Sequence, residues 1–224
     1  MHSALRVIPE RNPFHTERVM HITAPGTANL YRLLLALLLC LSGSAHAIEP
    51  SQVPDSKRTT LDRYLTAAEA HRMVSERGDR ILFLDVRTQA EVSYVGAPLG
   101  MDANIPFMLV DFDHFDTGTR RFTLHRNPAF VRAVDARLAS KGLDRNADIV
   151  LICRSGDRTA GAVNALAAAG FSRVWTVIDG FEGDTANDGA DRGKRTVNGW
   201  KNAGLPWSYA LDRSQVWLPD GVQP

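Results

Sequence analysis

The chain has 224 residues, 44% of them hydrophobic and 23% charged, with a formal net charge of +1. That balance excludes a disordered or collagen-like chain, and no basic stripe stands out, so nucleic acid is not an expected partner. Two cysteines are too few for a disulfide framework.

In chain order, residues 1–47 read as a secretory signal peptide and not as part of the fold. Arg32 precedes a nine-residue apolar run, residues 33–41, which is followed by Ser42-Gly43-Ser44 and the small-x-small signature Ala45-His46-Ala47. The run is too short for a membrane span. Met20 would be a more ordinary start than Met1. Cleavage after Ala47 removes four arginines, two glutamates and Cys40, which leaves 22 basic and 23 acidic residues, a net charge of −1. The expected product is periplasmic or secreted, has no stable membrane span, and carries Cys153 as its single thiol. A lone Cys in an exported chain has no intramolecular disulfide partner and is flagged as a reactive thiol.

Residues 48–64 read as an extended polar leader, 65–207 as one domain and 208–224 as a tail whose Trp217 and Leu218 pack back on it. Thr66 with Glu69 forms a capping box that opens a helix ended by Gly78-Asp79, and His71 is a packing residue of that helix. Residues 81–86 are the first strand of parallel type, with Asp85 and Arg87 at its carboxyl end. The run Asp111-Phe112-Asp113-His114-Phe115-Asp116 meets no metal template and reads as a surface loop with Phe anchors. Asn127 as N-cap and Pro128 at the first helical position open a helix that Gly142 ends. Residues 149–153 form a buried strand, followed by a polar turn, a helix closed by Gly170 and a further strand over 173–178. This alternation predicts an α/β fold with a parallel central sheet flanked by helices. Residues 183–195, rich in Gly and charge, read as a solvated hairpin or a rim over the site, and their spacing fails the calcium-loop template.

The chemistry concentrates at Cys153-Arg154-Ser155-Gly156-Asp157-Arg158-Thr159, where a strand gives way to a helix. Ligands in parallel sheets gather at the carboxyl ends of strands, and backbone N–H groups at a helix N-terminus favour negative charge. Arg154 and Arg158 add two positive charges, so the position favours a thiolate at Cys153. Cysteine phosphatases and arsenate reductases place five residues between Cys and Arg. Here four separate Cys153 from Arg158, and Ile152 stands where those enzymes usually carry His.

The short loop resembles the active-site loop of rhodanese-family sulfurtransferases. Two other stretches are similar to that family: residues 81–91, a strand followed by Asp85-Val86-Arg87 and then Glu91 on a short helix, and the closing segment Asn198-Gly199-Trp200-Lys201-Asn202-Ala203-Gly204-Leu205-Pro206. One stretch departs from it, Gly96-Ala97-Pro98-Leu99-Gly100, ahead of Asn104-Ile105-Pro106. The resemblance implies a rhodanese-like fold with helices on both faces of the sheet. It also implies a Cys153 that takes a sulfane sulfur from a small anionic donor such as thiosulfate, holds it as a persulfide and passes it to a thiophilic acceptor or acceptor protein. On this reading the loop from Arg154 through Ser155, Gly156 and Asp157 to Arg158 holds the donor. Thr159 donates to the thiolate or to the loop backbone, and Asp85 either orients the loop or pairs with Arg87. Arg154 is expected to project to solvent and meet the anion, Arg158 to brace the loop. No metal or organic cofactor is implied. The other readings are a non-turnover sulfur carrier or partner-docking module, and a phosphatase or arsenate reductase.

Overall fold

The computed structural model describes residues 48–219; the expected signal peptide and its cleavage site lie outside the described residues. Five strands form a parallel sheet: β1 (Tyr64–Leu65), β2 (Ile81–Asp85), β4 (Ala103–Asn104), β7 (Asp148–Ile152) and β8 (Val174–Val177), in the order β1-β8-β7-β2-β4, while β3 (Ala97–Pro98) pairs antiparallel with β9 (Trp207–Ser208). The two central strands are apolar almost throughout because both of their faces are covered. Side chains alternate along each strand, so Leu82, Leu84, Ile149, Leu151 and Cys153 join one core cluster. Ile81, Phe83, Val150 and Ile152 join the other.

Helices α3 (Phe130–Ser140) and α4 (Asp157–Ala168) cover the first face through Phe130, Val134, Leu138, Val163 and Leu166. Helices α1 (Ala67–Arg77) and α2 (Gln89–Val95) cover the second through Ala67, Ala70, Met73 and Val92. Both of the latter open on a capping box, Thr66 with Glu69 and Thr88 with Glu91, which satisfies amide donors that a helix start leaves unpaired. Helix α4 ends in a Schellman turn: Gly170 takes φ 93°, and Phe171 N–H returns to Leu166 O at 3.1 Å. At the opposite end of the sheet from the site, the buried Asp148 carboxylate accepts from Arg77, Arg173 and Trp175.

Three expectations need correction. The run from Asp111 to Asp116 is not a loop: it belongs to β5 (Met108–Asp116), which pairs antiparallel with β6 (Arg121–Arg126) in a ribbon of its own. The ribbon is exposed over most of its length, so no buried run marks it in the sequence. The leader is not simply extended. It makes two 3₁₀ turns, Pro50–Gln52 and Asp55–Lys57, and is strapped to the domain. Lys57 donates to Asp184 at 2.7 Å, and Ser56 to Asp157 at 2.9 Å. Finally, α3 starts two residues after Pro128; the Asn127 side chain caps the preceding turn, accepting from Ala129 N–H at 3.0 Å.

The tail folds back, with Trp217 against the first core cluster and its carbonyl bonded by Gln89. Residues 183–195 close on themselves through a Thr185–Arg195 bridge, Ala186 N–H to Lys194 O at 2.8 Å, and Arg195 to Gly183 O at 2.6 Å. Among the described residues no helix is long and apolar enough to cross a membrane.

Candidate active site

Cys153 follows the last residue of β7 and is 1% exposed. Helix α4 begins at Asp157, so the turn that connects strand to helix is only Cys153 to Gly156. So tight a reversal needs a left-handed residue, and Gly156 supplies it with φ 95°. The same reversal brings Gly156 N–H to 3.2 Å from Cys153 Sγ. Thr159, fully buried in the first turn of α4, donates its hydroxyl to Gly156 O at 2.7 Å and accepts from Thr176 at 2.6 Å. Of its two expected roles, it takes the bond to the loop backbone; its oxygen is 3.9 Å from the sulfur. Ser155 and Asp157 bond to each other at 3.0 Å, and Asp157 also accepts from Ser56.

A second segment clamps the turn from behind. Phe181 N–H donates to Cys153 O at 2.8 Å and Glu182 N–H to Arg154 O at 2.9 Å. The approach is so close that a Cβ on Gly156 would lie 2.1 Å from Ile178 O, and one on Gly180 2.5 Å from Arg154 C.

Asp85 and Arg87 sit on the sheet face opposite Cys153 Sγ, because strand parity sends them there. They form a buried pair with Nη2 2.5 Å from Oδ2, and Arg87 also donates to Gly96 O. Arg87 stacks on the Phe181 ring at 4.1 Å. The pair meets the segment behind the loop through Phe181, whose amide holds the Cys153 carbonyl, and the Asp85 charge also acts on Arg158.

The loop arginines differ. Arg158 donates to both oxygens of Glu91, at 2.7 and 2.5 Å. Burial raises the Glu91 carboxyl, but the hydrogen bonds and charge of Arg158, helped by Thr88, outweigh it and bring it to about 2. For Arg158 burial works against its charge, and Glu91 more than restores it. Arg154 does not project freely to solvent: it is half-buried, and its Nε is buried with no partner. Burial, then repulsion from Arg195 and Arg158, pushes its guanidinium down from the ordinary range. An unpaired cation beside two others is a place where an anion is stabilised.

Cys153, Arg154, Ser155, Asp157 and Arg158 open on one cleft of about 490 Å³, which Thr88 and Glu91 also line. Its far wall is the β5–β6 ribbon, through Val110, Arg121, Phe122 and Leu124. Sequence reasoning singled out Glu91 only as part of a pattern and missed Phe181 and the ribbon. Glu91 could have been found from its capping box with Thr88, since a carboxylate fixed at a helix start beside an Arg-bearing loop has a natural partner. The ribbon's contribution depends on a long-range placement with no local signal. Among the described residues no group of three or more His, Cys, Asp and Glu could hold a metal.

The family model for the rhodanese-like domain matches residues 66–187. The chain is 25% identical over 147 residues to the uncharacterised protein RP600 of Rickettsia prowazekii, spanning 65% of this chain and 96% of that one. It is 30% identical to the solved structure of Rv0390 from M. tuberculosis, covering 66% of this chain and 97% of that chain with a TM-score of 0.48. Thiosulfate sulfurtransferase from Pseudomonas aeruginosa aligns at 18% identity over 67% of this chain and 21% of that chain, with a TM-score of 0.42. With a family match over more than half its length, a parallel five-stranded sheet and a cysteine loop at the sheet's carboxyl edge, this chain belongs to the rhodanese-like domain family.

Proposed function

We propose that the protein is a sulfurtransferase that takes sulfane sulfur from an anionic donor, thiosulfate being the simplest, onto Cys153. The observation that carries this reading is the pairing of Cys153 Sγ, bonded by Gly156 N–H, with the unneutralised Arg154 in one cleft. The Cys153 thiolate attacks the outer sulfur of thiosulfate. A new S–S bond forms, the S–S bond of the donor breaks, and sulfite leaves with its electron pair. Gly156 N–H is placed to stabilise the negative charge on sulfur before transfer, and Arg154 the anionic donor and leaving group. A nucleophilic acceptor then attacks the outer sulfur of the persulfide and restores the Cys153 thiolate. Redox balance is internal, since the sulfane sulfur moves without net oxidation.

The phosphatase reading is disfavoured by the arginine that closes the loop. Arg158 is committed to Glu91 through two hydrogen bonds and is not free to cradle a tetrahedral anion. The deciding test is the intact mass of the protein after incubation with thiosulfate, with and without cyanide. A gain of one sulfur, removed by cyanide and absent in Cys153→Ser, is expected. No sulfur gain with thiosulfate or any other sulfane donor would overturn the proposal.

A further inference from the structure

The cleft over Cys153 has two unlike sides. The loop side carries Arg154, with its buried, unpartnered Nε and its two repelling neighbours, Arg158 and Arg195. The ribbon side is mainly apolar: Val110, Phe122 and Leu124 line it, with Arg121 as its one charged lining residue. Val110 and Leu124 face each other directly across β5 and β6, and Phe122 follows on the same side two residues before Leu124. Phe112 and Phe115 each meet the Phe122 ring edge-on at 5.3 Å and hold it from outside the cleft. Among the described residues none closes over this wall from the cleft side: Phe122 is 46% exposed and Leu124 42%. A two-stranded ribbon has no core of its own, so apolar side chains turned toward a reactive cysteine are not explained by folding.

Volume points the same way. The cleft, at about 490 Å³, is within the range of sites for small organic molecules, whereas thiosulfate would occupy only the cationic end. We infer that the β5–β6 ribbon is a specificity element, and that Phe122 and Leu124 select a donor with an anionic head and an apolar body. Under the sulfur-transfer reading, on which the reacting group alone rests, the matching class is an organic thiosulfonate, R–SO2–S⁻. The Cys153 thiolate bonds to the terminal sulfur, the S–S bond of the donor breaks, and the sulfinate R–SO2⁻ leaves with the electron pair. One negative charge stays on the persulfide and one leaves, so the step balances without an outside oxidant or reductant. The head meets Arg154, and R lies against Phe122 and Leu124.

Two paired measurements test this. In the first, Cys153 is loaded with benzenethiosulfonate or methanethiosulfonate, which share the reacting head, and kcat/KM is compared. The aromatic donor is expected to be better by roughly tenfold or more, the scale on which apolar pockets discriminate. The preference should fall towards parity in Phe122→Ser and in Leu124→Ser. In the second, unreactive benzenesulfonate and methanesulfonate are titrated calorimetrically, and the same preference and the same loss are expected. Equal handling of the two anions by the parent protein, or a preference that neither substitution lowers, overturns the inference. If no donor loads Cys153 yet benzenesulfonate binds selectively, the sulfur-transfer reading falls and the ribbon's role stands.

Discussion

Replacing Glu91 by Gln tests the loop's electrostatics most directly, because it removes one charge and little volume. Glu91 holds Arg158 through two hydrogen bonds and caps α2 through Thr88. Its carboxyl is lowered from 4.5 to about 2 in the folded protein. At 1.36 kcal/mol per pKa unit, ionisation of Glu91 contributes about 3 kcal/mol to stability at neutral pH. Independent bounds agree: an exposed ion pair contributes at most about 1 kcal/mol and breaking a buried one costs about 3–5. With side chains 18% and 24% exposed, this pair lies between them. Because the folded-state pKa is depressed, the contribution is fully present above about pH 4.5 and is lost as pH falls through about 2. Urea denaturation of parent and Glu91→Gln at neutral pH should therefore differ by about 2–3 kcal/mol, and the gap should narrow by about half near pH 3. The variant also leaves Arg158 unneutralised beside the loop, so its KM for thiosulfate should fall even as stability falls. A gap that stays constant from neutral pH to pH 3, or a variant as stable as the parent, would refute the assignment of that energy to the Glu91–Arg158 pair.

Arg154→Ala should raise KM for thiosulfate by roughly tenfold with a smaller change in kcat, and the effect should shrink with added salt; steady-state kinetics across ionic strength check this. Gly156→Ala should destabilise the fold by roughly 3 kcal/mol or more, because the new Cβ meets Ile178 O at 2.1 Å and φ is 95°. Thermal unfolding measures that loss, and a Tm within a degree or so of the parent would show that the clamp behind the loop yields easily.

What was legible in the sequence follows from how local each signal is. The strands at Ile81 and Ile149 are unbroken apolar runs, and a strand covered on both faces leaves that signature regardless of its neighbours. The Thr66 and Thr88 caps each lie within three residues of their partners. The Cys153 loop was legible because the strand-to-helix turn compresses its chemistry into seven residues, from Cys153 to Thr159. What was hidden depends on distance along the chain. Phe181 meets Arg87 and the Cys153 carbonyl only once β8 lies beside β7. The β5–β6 ribbon alternates Asp with Phe on a surface that water reaches, so its pattern is that of a polar loop until its position beside the cleft is known. Asp85 was placed correctly at a strand end, yet strand parity carries it away from Cys153 and toward Arg87.

Three arginines near one cysteine would repel one another if all were free, and the fold grades them. Arg87 is cancelled outright by Asp85, stacked on Phe181 and placed on the far side of the sheet, so it serves packing and not anion binding. Arg158 is balanced by Glu91 at the cleft's edge, which fixes the first turn of α4 while leaving little net charge there. Arg154 makes no ion pair among the described residues and has its Nε buried with no partner; Arg87 also leaves Nη1 without one, but its charge is paired with Asp85. The positive field over Cys153 therefore comes mainly from Arg154, joined from the next segment by Arg195 and from the ribbon wall by Arg121. Such an arrangement limits repulsion within the loop, because of the two loop arginines only Arg154 lacks an acid, and it still presents the incoming anion with a cation that gains by being met. Charge at the cleft is thus set by which of its arginines is given an acid, and a change at Glu91 retunes the site without touching the residues that contact sulfur.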